Sequence, residues 1–166
     1  QERGSWFYEM PELGYNMRLT DFQCALGLCQ LRNVSQWTLR RQDIARQYTE
    51  AFEAMEAITP LATRSGISHA YHLYVVRLNT GMLAVDRSTV FRALRAENIG
   101  VNVHYIPVHL HPFYQEHFHT HAGICPVAEE AYEHILSLPL FAGMTDTDTL
   151  DVIEAMKKVY NHYQKQ

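Results

Sequence analysis

The chain has 166 residues, of which 47% are hydrophobic and 19% charged, and this is the composition of a globular domain with room for a core. The formal net charge is −4, whereas domains that bind nucleic acid usually carry an excess of basic residues, so we expect no nucleic-acid partner. No apolar run reaches the roughly 18 residues of a membrane span, so we expect no membrane partner. The cysteines Cys24, Cys29 and Cys125 form no C-x-x-C pair, and the first two are predicted to be buried thiols of a reduced compartment, the cytoplasm.

The first predicted elements are two helices. Thr20 and Gln23 have the spacing of a capping box, and the helix that they open is predicted to end near Leu31. A long amphipathic helix should follow and stop at Thr59-Pro60, because proline cannot continue a helix. Its predicted buried stripe, with a period near 3.6, consists of Val34, Trp37, Ile44, Tyr48, Phe52 and Met55.

Beyond residue 60 the pattern alternates between strand and helix, which predicts a small α/β domain. The expected elements are a loop at 61–68, a strand at His69–Leu78, a helix capped by Asp86 or Ser88 that runs through Ala96 and ends at Asn98-Ile99-Gly100, a strand at Val101–Tyr105, a helix near 126–136, an extended SLPLF segment and a last helix. Thr145 and Asp148 should cap that last helix. Its predicted buried stripe is Leu150, Ile153, Met156 and Tyr160.

The segment GYNMR, just before the first helix, places an amide (Asn16) and a guanidinium (Arg18) among aromatic and apolar neighbours. A simple connector would use small turn residues here. The residues alone leave two interpretations open. Asn16 and Arg18 either cap local backbone groups or bind a ligand.

Four ordered motifs now identify a resemblance. LGYNMRLTDFQCALGLCQL at 13–31, HAYHLYVVRL at 69–78, GVNVHYIPVHLHPFY at 100–114 and SLPLFAGMTDTD at 137–148 resemble, in the same order, the DegT/DnrJ/EryC1/StrS family of sugar-nucleotide aminotransferases. Within the family, the likeness is greatest to the members of pseudaminic acid biosynthesis, which act on a UDP-linked 4-keto-6-deoxy-N-acetyl sugar.

The resemblance implies the fold and the cofactor. Family members are about twice as long, so the chain is expected to be the C-terminal part of a fold-type-I transferase that uses pyridoxal 5′-phosphate (PLP). Residues 1–58 would form an active-site loop and two connecting helices. Residues 59–166 would form a small α/β (α+β) domain, with helices on a mainly antiparallel sheet. The PLP-binding domain would lie upstream.

The Schiff-base lysine is also expected upstream, so no residue of this chain is predicted to be catalytic. Such a lysine must be fixed and desolvated to keep its amine neutral. Lys157 and Lys158 lie among polar positions of the last helix, and Lys165 lies in the tail. We therefore expect the chain alone to be inactive.

The resemblance also implies the site residues. Family members are homodimers with shared active sites, so Asn16 and Arg18 should reach the PLP phosphate of the partner subunit, and Arg18 also the diphosphate of the substrate. Met17, where the family usually has an aromatic residue, should face the core. The implied sugar contacts are His104, Tyr105, His109, His111 and Tyr114. The implied substrates are glutamate and a nucleotide sugar, as in the synthesis of cell-surface polysaccharides.

Three other interpretations remain open. The histidines between 109 and 121 could form a metal site, but the carboxylates and cysteines that usually join them are missing apart from Glu116, so no metal is expected. The full-length protein could be a sugar dehydratase, since some relatives carry histidine in place of the lysine. The chain could also be a stand-alone sugar-binding or dimerisation module. In that case the apolar FYEMPELGY segment and the apolar side of the Thr20 helix should drive association.

Overall fold

The structure, a computed structural model, describes residues 6–165. Its helices and strands are α1 (Asp21–Phe52), β1 (Ile58–Pro60), β2 (Tyr74–Leu78), α2 (Arg87–Ala96), a 3-10 turn (Val108–Leu110), α3 (Pro112–Phe118), α4 (Pro126–His134), β3 (Ile135–Leu138) and α5 (Asp146–Tyr163). The strands form one antiparallel sheet in the order β1-β2-β3. The predicted fold class, helices on a small antiparallel sheet, is confirmed. Among the described helices, none is long and apolar enough to cross a membrane.

The chain divides into two compact units, and the division between Ser35 and Gln36 falls inside α1. The sequence places a boundary after residue 58 instead. The difference arises because the last turns of α1 bury Ile44, Tyr48 and Phe52 in the core of the second unit. Buried apolar area stabilises a fold in proportion to its extent, so these turns belong with the unit that covers them.

The sheet presents one apolar face to the core of the second unit. In β2, Tyr74, Val76 and Leu78 are buried, whereas Arg77 is exposed, as the two-residue period of a strand requires. Arg77 forms an ion pair with Glu130 of α4. The strand β3 pairs with β2 over residues 135–138, and its two leucines complete the buried face.

The core is closed by α1, α2 and α5. Tyr48 of α1 contacts the ring of Tyr74 with ring centroids 5.1 Å apart, and its hydroxyl donates to the carbonyl oxygen of Pro139. The buried residues of α2 are Val90 and Leu94. The buried stripe of α5 consists of Thr149, Val152, Ile153, Ala155, Met156 and Val159.

Two predictions about α1 are wrong. The two helices expected at 20–58 form one continuous helix, Asp21–Phe52, which passes through the break predicted near Leu31. Cys24 and Cys29 are exposed and not buried. The apolar positions of this first unit are not covered by other parts of the unit, and for the same reason Met17 is 83% exposed instead of facing a core.

The strand predicted at Val101–Tyr105 does not form. Only Asn102 makes a bridge, to Ser137. The side-chain oxygen of Asn102 accepts the backbone N–H of Val103, which removes that donor from any strand ladder.

The strand predicted from His69 begins only at Tyr74. Tyr71 has a φ of 46°, which a strand cannot contain, and its backbone N–H donates to Nδ1 of His69. This local bond between a side chain and the backbone replaces the strand ladder over the first part of the segment.

The ends of the later helices are only partly as predicted. Asp86 caps α2, and Thr145 and Asp148 form the predicted capping box of α5. The residue that adopts the left-handed conformation after α2 is Asn98, with a φ of 63°, and not the expected Gly100. Leu150 is 54% exposed, because the buried stripe of α5 begins one residue earlier, at Thr149.

Besides the 3-10 turn, two elements are absent from the prediction. The short strand β1 contains Pro60, which has no N–H to donate and is tolerated because β1 lies at the edge of the sheet. The helix α3 begins with Pro112 at its first turn, in a segment for which the sequence predicted no helix. Proline at that position favours a helix start, because its missing N–H would be unpaired there anyway.

Candidate functional site

The loop before α1 presents two polar side chains to solvent. Asn16 and Arg18 are exposed, and neither side chain makes a hydrogen bond or ion pair with any residue in the described part of the chain. Thr20 and Gln23 form the predicted capping box, with the backbone N–H of Thr20 donating to the side-chain oxygen of Gln23 over 2.9 Å. The start of α1 is therefore capped by Thr20 and Gln23 without Asn16 and Arg18, which leaves both side chains available to an anion.

A phosphate group fits this pair of residues chemically. A guanidinium can donate two parallel N–H bonds to phosphate oxygens, and an amide adds one neutral donor. The exposure of both side chains and the lack of partners for them among residues 6–165 agree with that use. They argue against the alternative in which the two residues cap local backbone groups.

His104 belongs to a hydrogen-bonded network. Its Nδ1 lies 2.9 Å from the hydroxyl of Ser137, and its Nε2 lies 3.3 Å from the side-chain nitrogen of Asn102. The amide oxygen of Asn102 accepts from the backbone of Val103, so its NH₂ group faces His104 and donates to Nε2. His104 therefore donates through Nδ1 to Ser137. With both nitrogens engaged, the ring can offer a ligand its face.

His109 is held by a carboxylate. Its Nε2 lies 2.8 Å from Oε1 of Glu129, and its side chain is only 11% exposed. Glu129 also accepts the backbone N–H groups of Gly123 and Cys125. The hydrogen bond from His109, followed by that from Gly123, holds the pKa of Glu129 below its ordinary value, against the effect of desolvation.

The remaining predicted sugar contacts are more exposed. Tyr105 is 69% exposed, and its ring meets that of His104 edge-on, with centroids 4.5 Å apart. His111 precedes α3, and its side chain makes no capping hydrogen bond there. Tyr114 is 39% exposed, and its ring lies beside that of Phe118 of the same helix, with centroids 5.7 Å apart. These residues all lie on the segment 104–114. The segment is anchored at two points: His104 bonds to Ser137 of β3, and His109 bonds to Glu129 of α4.

Sequence reasoning missed Ser137 and Glu129, the partners of the two histidines. Glu129 lies 20 residues after His109, and Ser137 lies 33 residues after His104. Such separations carry no local pattern. The local sequence around Glu129 shows only that it lies in the first turn of a helix that begins at Pro126. That pattern predicts a helix start and does not predict a partner for histidine.

The other loop histidines do not converge. Nδ1 of His117 bonds to the carbonyl oxygen of Phe113, and Nδ1 of His121 bonds to that of Ala122. Within residues 6–165, no group of three or more His, Cys, Asp or Glu side chains could hold a metal ion. The splayed geometry gives the metal interpretation no support.

Lys158 and Lys165 are exposed, Lys157 is half-buried, and each of the three has a partner. Lys157, Lys158 and Lys165 bond in that order to Glu154, Glu97 and the carbonyl oxygen of Gly81. A Schiff-base lysine must be held in a desolvated site, and none of these three side chains is buried.

Comparison with known proteins identifies relatives along almost the whole chain. The sequence profile of the DegT/DnrJ/EryC1/StrS aminotransferase family matches residues 1–157. The spore coat polysaccharide biosynthesis protein SpsC of Bacillus subtilis is 44% identical over 158 residues, which cover 94% of this chain and 40% of SpsC.

Solved structures agree. PseC of Helicobacter pylori, an aminotransferase involved in the biosynthesis of pseudaminic acid, superposes with a TM-score of 0.80 at 25% identity, over 98% of this chain and 43% of PseC. The PMP form of the sugar aminotransferase Spr1654 of Streptococcus pneumoniae has a TM-score of 0.80 at 30% identity, over 95% of this chain and 39% of Spr1654. The chain spans about 40% of the length of the curated relatives that it matches.

Proposed function

Because this chain belongs to the DegT/DnrJ/EryC1/StrS aminotransferase family, we propose that its full-length protein is a PLP-dependent sugar aminotransferase. The amino donor is glutamate, and the acceptor is a UDP-linked 4-keto-6-deoxy sugar destined for a cell-surface polysaccharide. The observation that carries this proposal is the family match over residues 1–157, which contains all four motifs. The likeness to PseC supports the choice of acceptor.

The cofactor follows from the same relatives, since Spr1654 has been solved in PLP and PMP forms. Bound PLP supplies the electron sink for amino transfer. The lysine that holds it lies in an upstream domain, in keeping with the lysines of this chain, each of which already has a partner. The chain contributes binding and orientation.

Asn16 and Arg18 bind phosphate across a homodimer. Both are exposed and lack partners within the described residues, so they are free to enter a neighbouring subunit. Arg18 supplies the positive charge that matches the cofactor phosphate or the substrate diphosphate, and Asn16 orients it through a neutral amide.

The segment 104–114 forms part of the sugar pocket. His104 offers the face of its ring, and Tyr105 and Tyr114 offer aromatic surface with a hydroxyl at the tip. Flat apolar faces that end in polar groups suit a sugar, which has both C–H faces and hydroxyls. His109 and His111 supply ring nitrogens to those hydroxyls.

The three unpaired cysteines agree with a location in the reducing cytoplasm.

The test is turnover by the full-length protein. Supplied with PLP, glutamate and a UDP-linked 4-keto-6-deoxy-N-acetyl sugar, it should give the 4-amino sugar and 2-oxoglutarate, identified by mass spectrometry. A dehydrated sugar without the amino group would make the protein a dehydratase instead. Binding of the sugar nucleotide without any reaction would make it a binding module.

A further inference from the structure

Glu129, near the start of α4, gathers three hydrogen-bond donors from two segments that precede it. Its carboxylate accepts Nε2 of His109 at 2.8 Å, the backbone N–H of Gly123 at 2.8 and 2.9 Å, and that of Cys125 at 3.3 Å. The main chain of His109 is fixed as well, because the hydroxyl of Thr120 donates to its carbonyl oxygen over 2.7 Å. Both ends of the His109 residue are therefore held in place.

The contact also determines which nitrogen of His109 carries the proton. An ionised carboxylate only accepts hydrogen bonds, and the three donors together keep the pKa of Glu129 low, the bond from His109 contributing most. Nε2 must therefore be the N–H donor. In a neutral imidazole with a proton on Nε2, the other nitrogen, Nδ1, carries a lone pair and accepts hydrogen bonds.

Nδ1 of His109 makes no hydrogen bond with any residue in the described part of the chain. The side chain is 11% exposed, so the ring is largely buried but still accessible to solvent. An acceptor atom in that state is suited to a ligand that donates an O–H group.

We propose that Glu129 is a positioning residue that holds His109 with Nε2–H toward its carboxylate, so that Nδ1 accepts a hydrogen bond from a hydroxyl of the sugar substrate. This inference rests on the proposed function, because it assigns an atom-level role to a residue of the sugar pocket. It adds a specificity element, since a sugar that lacks the hydroxyl should lose the contact.

The first test measures the proton position directly. In the full-length protein labelled with ¹⁵N-histidine, the imidazole resonances of His109, assigned by their loss in H109A, should show the Nε2–H tautomer. The Nδ1–H tautomer would overturn the proposal without reference to any variant of Glu129. In E129A we expect a mixture of tautomers. The matched control is E130A, which removes the neighbouring carboxylate of α4 that pairs with Arg77, and it should leave the His109 signals unchanged.

The second test separates sugar binding from chemistry. E129A should raise KM for the sugar nucleotide roughly fivefold to tenfold, the size of one lost hydrogen bond. It should leave unchanged the rate of the half-reaction with glutamate alone, which is followed by the change in the absorbance of the cofactor. E129Q keeps an acceptor oxygen for Nε2–H and should recover most of the loss. E129A added to H109A should have no further effect, because Glu129 acts through His109.

Besides the Nδ1–H tautomer, three results would overturn the inference: an unchanged KM in E129A, additive effects of E129A and H109A, or an equal loss in the glutamate reaction. A wild-type protein that never transfers an amino group to the sugar would instead overturn the proposed function itself. The two failures are therefore distinguishable.

Discussion

At the scale of single residues, Arg18 is the most direct test of the shared site. It is exposed and has no partner among residues 6–165, so its removal should leave the fold unchanged. In the full-length protein, R18A should weaken binding of PLP or of the sugar nucleotide by about tenfold to a hundredfold, the value of one or two charge-assisted bonds. Titration calorimetry with each ligand measures this.

The control for R18A is R92A, which removes an exposed arginine of α2 that donates to the hydroxyl of Thr89. It should leave both affinities unchanged. Equal affinities of R18A and the wild type for both ligands would refute the phosphate role of Arg18.

Two buried tyrosine side chains, Tyr48 and Tyr74, have pKa values that depend on the fold. Tyr48 is fully buried, and Tyr74 is 4% exposed, with its hydroxyl 2.9 Å from that of Thr49. Burial raises the pKa of Tyr74 from 10.0 to about 12, mainly because desolvation penalises the phenolate. Burial raises the pKa of Tyr48 further still.

These raised pKa values predict a loss of stability at alkaline pH. Above pH 10 the unfolded chain releases the phenol protons, whereas the folded chain keeps them until about pH 12, so the free energy of unfolding falls between these values. Y74F should show a shallower fall. Urea unfolding from pH 8 to 11 measures it, with Y8F, which removes a 90% exposed phenol, as the control. Identical slopes for Y74F and the wild type would contradict this account.

At the scale of elements, the start of α5 depends on its capping box. The hydroxyl of Thr145 accepts the N–H of Asp148 over 3.1 Å, and the carboxylate of Asp148 accepts the N–H of Thr145 over 2.7 Å. Since α5 contributes a stripe of buried residues to the core, fraying of its first turn weakens the whole second unit.

T145A should therefore lower the free energy of unfolding by about 1 kcal/mol, or lower Tm by about 2–4 °C. The matched control is T147A, two residues along, where the threonine is exposed and alanine favours the helix. Differential scanning calorimetry should show a lower Tm for T145A alone. An equal shift in both variants would mean that the cap contributes nothing specific.

At the scale of the whole molecule, the first unit exposes an unusual amount of apolar surface. The exposed large apolar residues before Ser35 include Trp6, Tyr8, Met10, Leu13, Tyr15, Met17, Leu19, Phe22, Leu26, Leu28 and Leu31. Exposed apolar surface of this kind favours association in water, as the sequence predicts.

We expect the 166-residue chain to self-associate through this surface. The double change of Leu28 and Leu31 to glutamate, at residues 61% and 66% exposed and three positions apart on α1, should shift sedimentation toward the monomer. L150E, at a 54% exposed leucine of α5, is the control and should not. A wild-type chain that sediments as a monomer would contradict the prediction.

The sequence by itself determined the features that depend on neighbours in the chain. Three helix caps illustrate this: the capping boxes at Thr20 and Thr145 and the cap at Asp86. Each joins a donor and an acceptor three residues apart, so the sequence alone is enough to predict it. The four family motifs likewise identified the family and the fold class, because each is a continuous stretch.

Only the tertiary structure decided what distant segments do to each other. The continuity of α1, the edge strand β1 and the pairing of His109 with Glu129 depend on contacts or on the absence of a break, and no local spacing records them. The predicted strand at 101–105 failed for the same reason, since a strand exists only if its donors find a partner ladder and Asn102 occupied one of them. Hydrogen bonds between residues three or four apart are fixed by local geometry, whereas those between residues twenty or more apart are fixed by how the chain packs.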